Sequence, residues 1–144
     1  MNVHKLTIGQ LESYLLRSAN FLRNKIDAGD YKGYIFPLMF YKRICDVYDE
    51  EYQKALEESD NDEGYAVSFP YQFDIPKNCH WNELRKISKN VGQALVKSMR
   101  SIEKANPKTL SGIFGDVNWG NKERLSDETL TNLIEHFSSL NLST

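Results

Sequence analysis

The segment from Tyr31 to about Leu56 constrains the fold more than any other part of the chain. Its first half, Tyr34-Ile35-Phe36 and Leu38-Met39-Phe40-Tyr41, is apolar nearly all round, and Ile44, Cys45, Val47 and Tyr48 continue the pattern at helical spacing. A helix of that kind is buried on several sides at once, so it must be the central element of a helical assembly. Pro37 stands inside the pattern and would clash with the carbonyl of Gly33; a local kink is the expected relief, and a break into two shorter helices is the alternative. Cys45 on this helix reads as a small core hydrophobe.

Other helices must cover that centre. Leu11, Leu15, Ala19, Leu22 and Ile26 form one face of a first helix, with Arg17, Asn20, Arg23 and Asn24 on the other side. Its expected stop is Asp27-Ala28-Gly29, where Gly29 can turn left-handed, and Asp30 can cap the helix that follows. From Glu57 to Asn82 the period disappears: an acidic run, Ser59 to Gly64, leads into Tyr65 to Phe73, bounded by Pro70 and Pro76. This predicts a loop with aromatic anchors and at most short extended pieces. A third helix is expected to start near Trp81 or Asn82. The run Asn90 to Ala105 places Val91, Leu95, Ser98, Met99 and Ile102 on one face and Lys97, Arg100 and Lys104 on the opposite one, before Asn106-Pro107 ends it.

The segment Ser111 to Asn121 mixes turn formers with Ile113, Phe114, Val117 and Trp119, which predicts a packed loop. A last helix opens at Ser126, whose hydroxyl can cap, with Asp127 and Glu128 at the positive end and Leu125 and Leu130 at the spacing of a hydrophobic staple. The expected fold is therefore all-α, a bundle of about five helices with one long aromatic loop. At 144 residues and 40% hydrophobic content, one domain spanning 1–144 can build a core without disulfides or metals.

Several function classes are disfavoured on the same residues. The longest apolar stretch, Tyr34 to Tyr41, is far short of the roughly 20 residues a membrane helix needs, and no apolar run follows the first basic residues. Cys45 and Cys79 then read as reduced thiols, and the expected location is the cytoplasm. His4, His80 and His136 lack metal-ligand spacing, so packing or capping is expected of His80 and His136. Gly112-Ile113-Phe114-Gly115 has neither a preceding strand nor a third glycine, and reads as a structural turn rather than a nucleotide loop. Glu50 and Glu51, being adjacent, do not face each other on a helix. The formal charge of -2 is segregated, with eight acids against Lys54 between Asp49 and Glu63, and eight bases against Glu83 and Glu103 between Lys77 and Lys108. A basic face of that kind can meet a polyanion or can simply be solvated. On residues alone, the chain is a helical binding or scaffold module without a catalytic constellation.

The stretch Phe21 to Asp46 carries Leu22-Arg23, Ile26-Asp27-Ala28, Tyr31-Lys32 and an apolar helix ending Phe40-Tyr41-Lys42-Arg43-Ile44-Cys45-Asp46. It closely resembles the opening of the DNA methyltransferase (modification, HsdM-type) subunit of type I restriction-modification systems. Later pieces agree in order: Phe73-Asp74-Ile75-Pro76 followed by Trp81, then Ile102 to Pro107, then Leu110 to Val117. Pro37 departs from the pattern, where a small residue is commoner.

The resemblance implies the amino-terminal helical domain of that subunit. The family's catalytic part, with its S-adenosylmethionine motif and the Asn-Pro-Pro-Phe motif that holds a flipped adenine for N6 methylation, is expected to lie outside this chain. Asn106-Pro107 continues as Lys108-Thr109 and is not that motif. Base flipping needs a pocket and a methyl-donor site, so no catalytic, cofactor-binding or metal residue is expected here. The parent subunit would use S-adenosylmethionine. Implied partners are duplex DNA, the specificity subunit, a second modification subunit and, in the full complex, the restriction subunit. Contacts from this domain would go mainly to phosphate. The candidates are Lys97, Arg100 and Lys104, with Arg23, Lys32, Lys42 and Arg43 from the motif region. For Arg23 and Lys42 an equally good reading is an intradomain pair with Asp27 or Asp46. The competing function is a protein-interaction module whose exposed aromatics and acidic run bind a partner helix without touching DNA.

Overall fold

A computed structural model describes residues 7–142, which form six α-helices and one short 3-10 turn with no strand among them. The helices are α1 (Ile8–Leu22), α2 (Tyr31–Glu58), α3 (Glu63–Ser68), α4 (Trp81–Arg85), α5 (Val91–Ala105) and α6 (Asp127–Ser138). The all-helical expectation is met, with the count six rather than about five. The 28-residue α2 is the centre, packing against α1, α3, α4 and α6. It runs unbroken through Pro37, which is buried, while Gly33 is exposed, so water can reach the carbonyl that Pro37 cannot bond.

The core is built on α2 by large side chains. Tyr41 is fully buried, meets Trp81 edge-on with ring centroids 5.2 Å apart, and donates its hydroxyl to the Cys79 carbonyl at 2.6 Å. Burial pushes the Tyr41 hydroxyl well above the ordinary phenol range, so it stays protonated and keeps donating. Cys45 is buried and free, its sulfur accepts the Trp81 backbone N–H, and burial raises its thiol. It is the inert core residue the sequence suggested. The 111–121 segment packs as expected: Phe114 and Trp119 are buried, and Trp119 meets Tyr34 edge-on at 5.1 Å.

Three boundaries differ from expectation. The first helix stops at Leu22, four residues before Ile26, because Asn24 rather than Gly29 takes the left-handed conformation (φ 67°). Ile26 reaches the core from outside the helix. Asp30 stands at the start of α2 but makes no side-chain cap; the 3-10 turn Ala28–Asp30 feeds the helix directly. The expected loop between 57 and 82 contains α3, capped by Asp62, whose carboxylate accepts the Tyr65 N–H at 3.2 Å. Six residues are too few to show a helical period, so only the cap and the adjacent Glu63 signal it. The expected third helix is two, α4 and α5, because Asn90 is left-handed (φ 54°, ψ 41°). Ser126 caps α6 as expected, accepting the Thr129 N–H at 3.1 Å, and Leu125 and Leu130 are both buried.

Asn90 leaves α5 without a side-chain cap of its own, and Asp127, in the first turn of α6, supplies one across the bundle. Its carboxylate accepts the Val91 N–H at 3.0 Å and the Asn90 N–H at 3.1 Å. These bonds, that to Val91 first, hold the Asp127 carboxyl below its ordinary range. A carboxyl lowered by folding stabilises the native state above its unfolded pKa, and the contribution is lost as pH falls through the folded value. Asp127→Asn should therefore lower Tm at neutral pH, with the difference from wild type closing in acid. Thermal melts between pH 3 and 7 would show it, and a pH-independent difference would count against the cap.

Candidate nucleic-acid and subunit interface

The basic stripe on α5 is built as its spacing predicts. The face carrying Val91, Leu95, Met99 and Ile102 is buried, and the opposite face presents Lys97 and Lys104 to solvent. Seven residues apart, the two lysines stand about 10 Å apart along the axis. Neither has an ion-pair partner among the described residues.

Arg100, between them, is committed inward. Its guanidinium bonds Glu103 at 2.6 Å and the Gly115 carbonyl, and approaches Asp116 at 3.5 Å. Glu103 is itself buried and accepts the Phe114 N–H, so Arg100 ties α5 to the 111–121 loop.

Three of the four candidates from the motif region, Lys42, Arg43 and Arg23, bond within the domain. Lys42 is corrected: it is only 6% exposed, and its ammonium bonds both Asp46 carboxylate oxygens at 2.6 Å and the Leu140 carbonyl. The intradomain pairing is the one that forms, and a buried ammonium with three partners cannot reach a phosphate. Arg43 is exposed but donates to the Leu142 carbonyl at 2.6 Å and borders a cleft with Glu50 and Glu51, an unfavourable setting for an anion. Arg23 is exposed and bonds Asn20 rather than Asp27. Lys32 is exposed at the start of α2.

Lys32 borders a second feature that periodicity did not reveal, an apolar groove of about 430 Å³ between α1 and α2. Leu15, Ala19, Tyr31 and Ile35 line it together with Leu16 and Phe36, while Glu12 and Lys32 contribute its charges. Leu16 is 74% exposed. A leucine in that position is legible in the sequence as a break in amphipathicity, since it lies just outside the Leu11-Leu15-Ala19 face.

His80 and His136 have the capping and packing roles expected of them, and His4 lies outside the described residues. His80 Nδ1 accepts the Asn82 N–H and caps α4, which leaves Nε2 to carry the proton and donate to Asp49 at 2.8 Å. His136 Nε2 lies 2.9 Å from the Tyr14 carbonyl and packs against the Tyr14 and Phe21 rings. No group of three or more His, Cys, Asp or Glu among the described residues could hold a metal ion. Gly112 and Gly115 take positive φ, 73° and 67°, as a structural turn requires.

The HsdM N-terminal domain family model matches residues 11–137 of the 144-residue chain. The chain belongs to that family. The match extends from α1 to α6, so the HsdM N-terminal domain is the helical bundle itself, and membership makes it part of a methyltransferase subunit in a multisubunit type I restriction-modification system. No curated protein matches the sequence. No described helix is long and apolar enough to cross a membrane.

Several residues that carry the HsdM resemblance are now seen to act on one another. Asn106 is buried; its Oδ1 accepts the Asp74 N–H, and its Nδ2 donates to the Asp74 and Ile102 carbonyls, at 2.8 to 2.9 Å. It thereby fastens the Phe73–Pro76 piece to the end of α5. Glu103 does the same for the Leu110–Val117 piece through Phe114. These side chains hold the HsdM bundle together.

Proposed function

We propose that this HsdM N-terminal domain helps the modification subunit close around duplex DNA and assemble with its partner subunits, without catalysing methyl transfer or binding S-adenosylmethionine itself. In this reading the methyl donor and the flipped adenine belong to the parent subunit's catalytic domain, and the partners are the specificity subunit, a second modification subunit and the restriction subunit. The observation that carries the DNA contact is the exposed pair Lys97 and Lys104, two turns apart on α5 with no internal ion-pair partner among the described residues. Such ammonium groups favour phosphate and carry no base reading. Arg23 and Lys32 are secondary contacts in this proposal. Arg100 acts by holding the loop beneath the stripe.

Binding of a labelled duplex, followed by fluorescence anisotropy at several salt concentrations, tests the proposal. Affinity should fall log-linearly with salt, and Lys97→Ala with Lys104→Ala should reduce the slope by about 1.8, at about 0.9 per phosphate contact. Sequence of the duplex should not matter. The groove between α1 and α2 favours a second reading, a protein-interaction module with no DNA contact. Absence of binding even at low salt would select it.

A further inference from the structure

Of the eight bases between Lys77 and Lys108, three are paired inside the domain: Arg85 with Glu135, Lys86 with Glu83 and Arg100 with Glu103. The other five, Lys77, Lys89, Lys97, Lys104 and Lys108, are exposed and have no ion-pair partner among the described residues. Both arginines of this stretch are therefore committed, and what is left to solvent is lysine, a compact point charge suited to phosphate. Lys97 and Lys104 form the α5 stripe. The fold brings two of the other three lysines to the end of that stripe.

Asn106, which ends α5, is the joint. Its backbone carbonyl accepts the Thr109 and Leu110 N–H groups at 3.3 and 2.9 Å, closing the turn that carries Lys108. Its side chain bonds Asp74 twice, accepting the Asp74 N–H and donating to the Asp74 carbonyl, both at 2.8 Å. Two bonds to one residue fix the direction of that segment as well as its place. Lys77 follows in a turn closed by the bond from the Cys79 N–H to the Pro76 carbonyl at 3.0 Å. Chain length alone keeps the Lys104 and Lys108 Cα atoms within about 7 Å of that of Asn106, and the Lys77 Cα within about 11 Å of that of Asp74. Three lysines from stretches 32 positions apart thus gather at one junction. The exposed carboxylate beside them is Asp74, and three lysines against one acid leave a net charge of +2. Glu103 is buried and paired with Arg100. Lys89 stands at the opposite end of α5, where the Asp127 carboxylate bonds the adjacent Asn90 N–H and offsets its charge.

We propose that the phosphate-binding surface runs past the end of α5 onto the two turns that Asn106 fastens together, with Lys108 and Lys77 as further contacts to the duplex backbone. This rests on the DNA contact proposed above and extends it to residues outside the α5 stripe. Lys104, in the last turn of α5, also suits the negative end of the helix. Lys77 has no such role, since it precedes α4 and lies at no helix C-terminus. It is the residue that separates a binding surface from a stabilised helix end.

Fluorescence anisotropy of a labelled duplex across a salt series, on the full chain, tests it. Lys77→Ala with Lys108→Ala should lower the slope of log affinity against log salt by about 1.8, and all four lysine substitutions together by about 3.6, at about 0.9 per contact. Over a tenfold rise in salt, the Lys77→Ala/Lys108→Ala protein should lose about 60-fold less affinity than wild type. Lys89→Ala should keep the wild-type slope. All these positions are exposed, and unchanged circular dichroism would confirm that the variants fold. A slope that responds to Lys97 and Lys104 but not to Lys77 and Lys108 would overturn the extension and leave the α5 contact standing. An equal loss of slope in Lys89→Ala would also overturn it, because the charge would then be sensed diffusely. A wild type that binds no duplex even at low salt would remove the α5 contact and this extension together.

Discussion

Lys42→Ala is expected to destabilise the domain by about 3 to 5 kcal/mol, the usual cost of removing one partner from a buried ion pair. The Lys42 and Asp46 side chains are 7% and 13% exposed. Together they hold the segment that follows α6: Lys42 donates to the Leu140 carbonyl at 2.5 Å, Asp46 accepts the Leu142 N–H at 2.8 Å, and neighbouring Arg43 donates to the Leu142 carbonyl. Without the ammonium, the Asp46 carboxylate keeps only the Leu142 N–H and the Leu140 carbonyl loses its donor. Burial already pushes the Asp46 carboxyl above the ordinary carboxylate range, against the pull of Lys42 and the Leu142 N–H.

The sign of the pH dependence follows. A carboxyl whose pKa is raised by folding contributes stability that is present below its unfolded pKa and is lost as pH rises through the folded value. Removing Lys42 raises that carboxyl further. The deficit of Lys42→Ala should accordingly shrink in acid and grow toward neutral pH, in urea unfolding measured at both ends. Lys42→Met combined with Asp46→Asn should cost less than Lys42→Ala, because no uncompensated charge is left buried. A deficit below about 1 kcal/mol, as for an exposed i,i+4 pair, would mean that the pair is solvated and the clasp on 140–142 is weak.

Gly92→Ala is the second large effect, and its sign is the informative part. In an exposed helix interior, glycine to alanine stabilises by about 0.8 to 1 kcal/mol. At Gly92 the added Cβ would lie 1.9 Å from the Trp119 carbonyl oxygen and 2.5 Å from its carbon. Those are backbone atoms, so relief requires α5 or the 117–120 segment to move, and net destabilisation of about 1 to 3 kcal/mol is expected. Gly9 on α1 is the control, since a Cβ there meets nothing within 4 Å. Gly9→Ala should raise Tm while Gly92→Ala lowers it and red-shifts the emission of the now buried Trp119. Equal signs for the two substitutions would refute the close approach.

What was legible in the sequence is what depends on near neighbours. The apolar surround of Tyr34 to Tyr41 specified a central helix, and the spacing of Leu95, Met99 and Ile102 put Lys97 and Lys104 on the outer face of α5. Ser126, followed by Asp127 and Glu128, marked the start of α6. Signals of this kind act over three or four residues, within the reach of a helical turn. Even locally, the reading failed where two residues competed for one role: Asn24 takes the left-handed turn for which Gly29 is the commoner choice, and Asn90 divides what the pattern joins.

The ordered motif pieces, Phe21 to Asp46 through Leu110 to Val117, determined the family without any coordinates, and the match over residues 11–137 agrees. Tertiary structure alone decided what the polar residues in those pieces do. Lys42 meets Leu140 across 98 positions, Asn106 meets Asp74 across 32, and Asp127 caps Val91 across 36. Lys42 and Lys97 are the same residue type on amphipathic helices; one is a buried strut and the other a free surface charge because α6 and its following segment close over the first and nothing among the described residues covers the second. A single side chain's burial is set by which distant element folds onto it, and that information is not carried by the residues beside it in the chain.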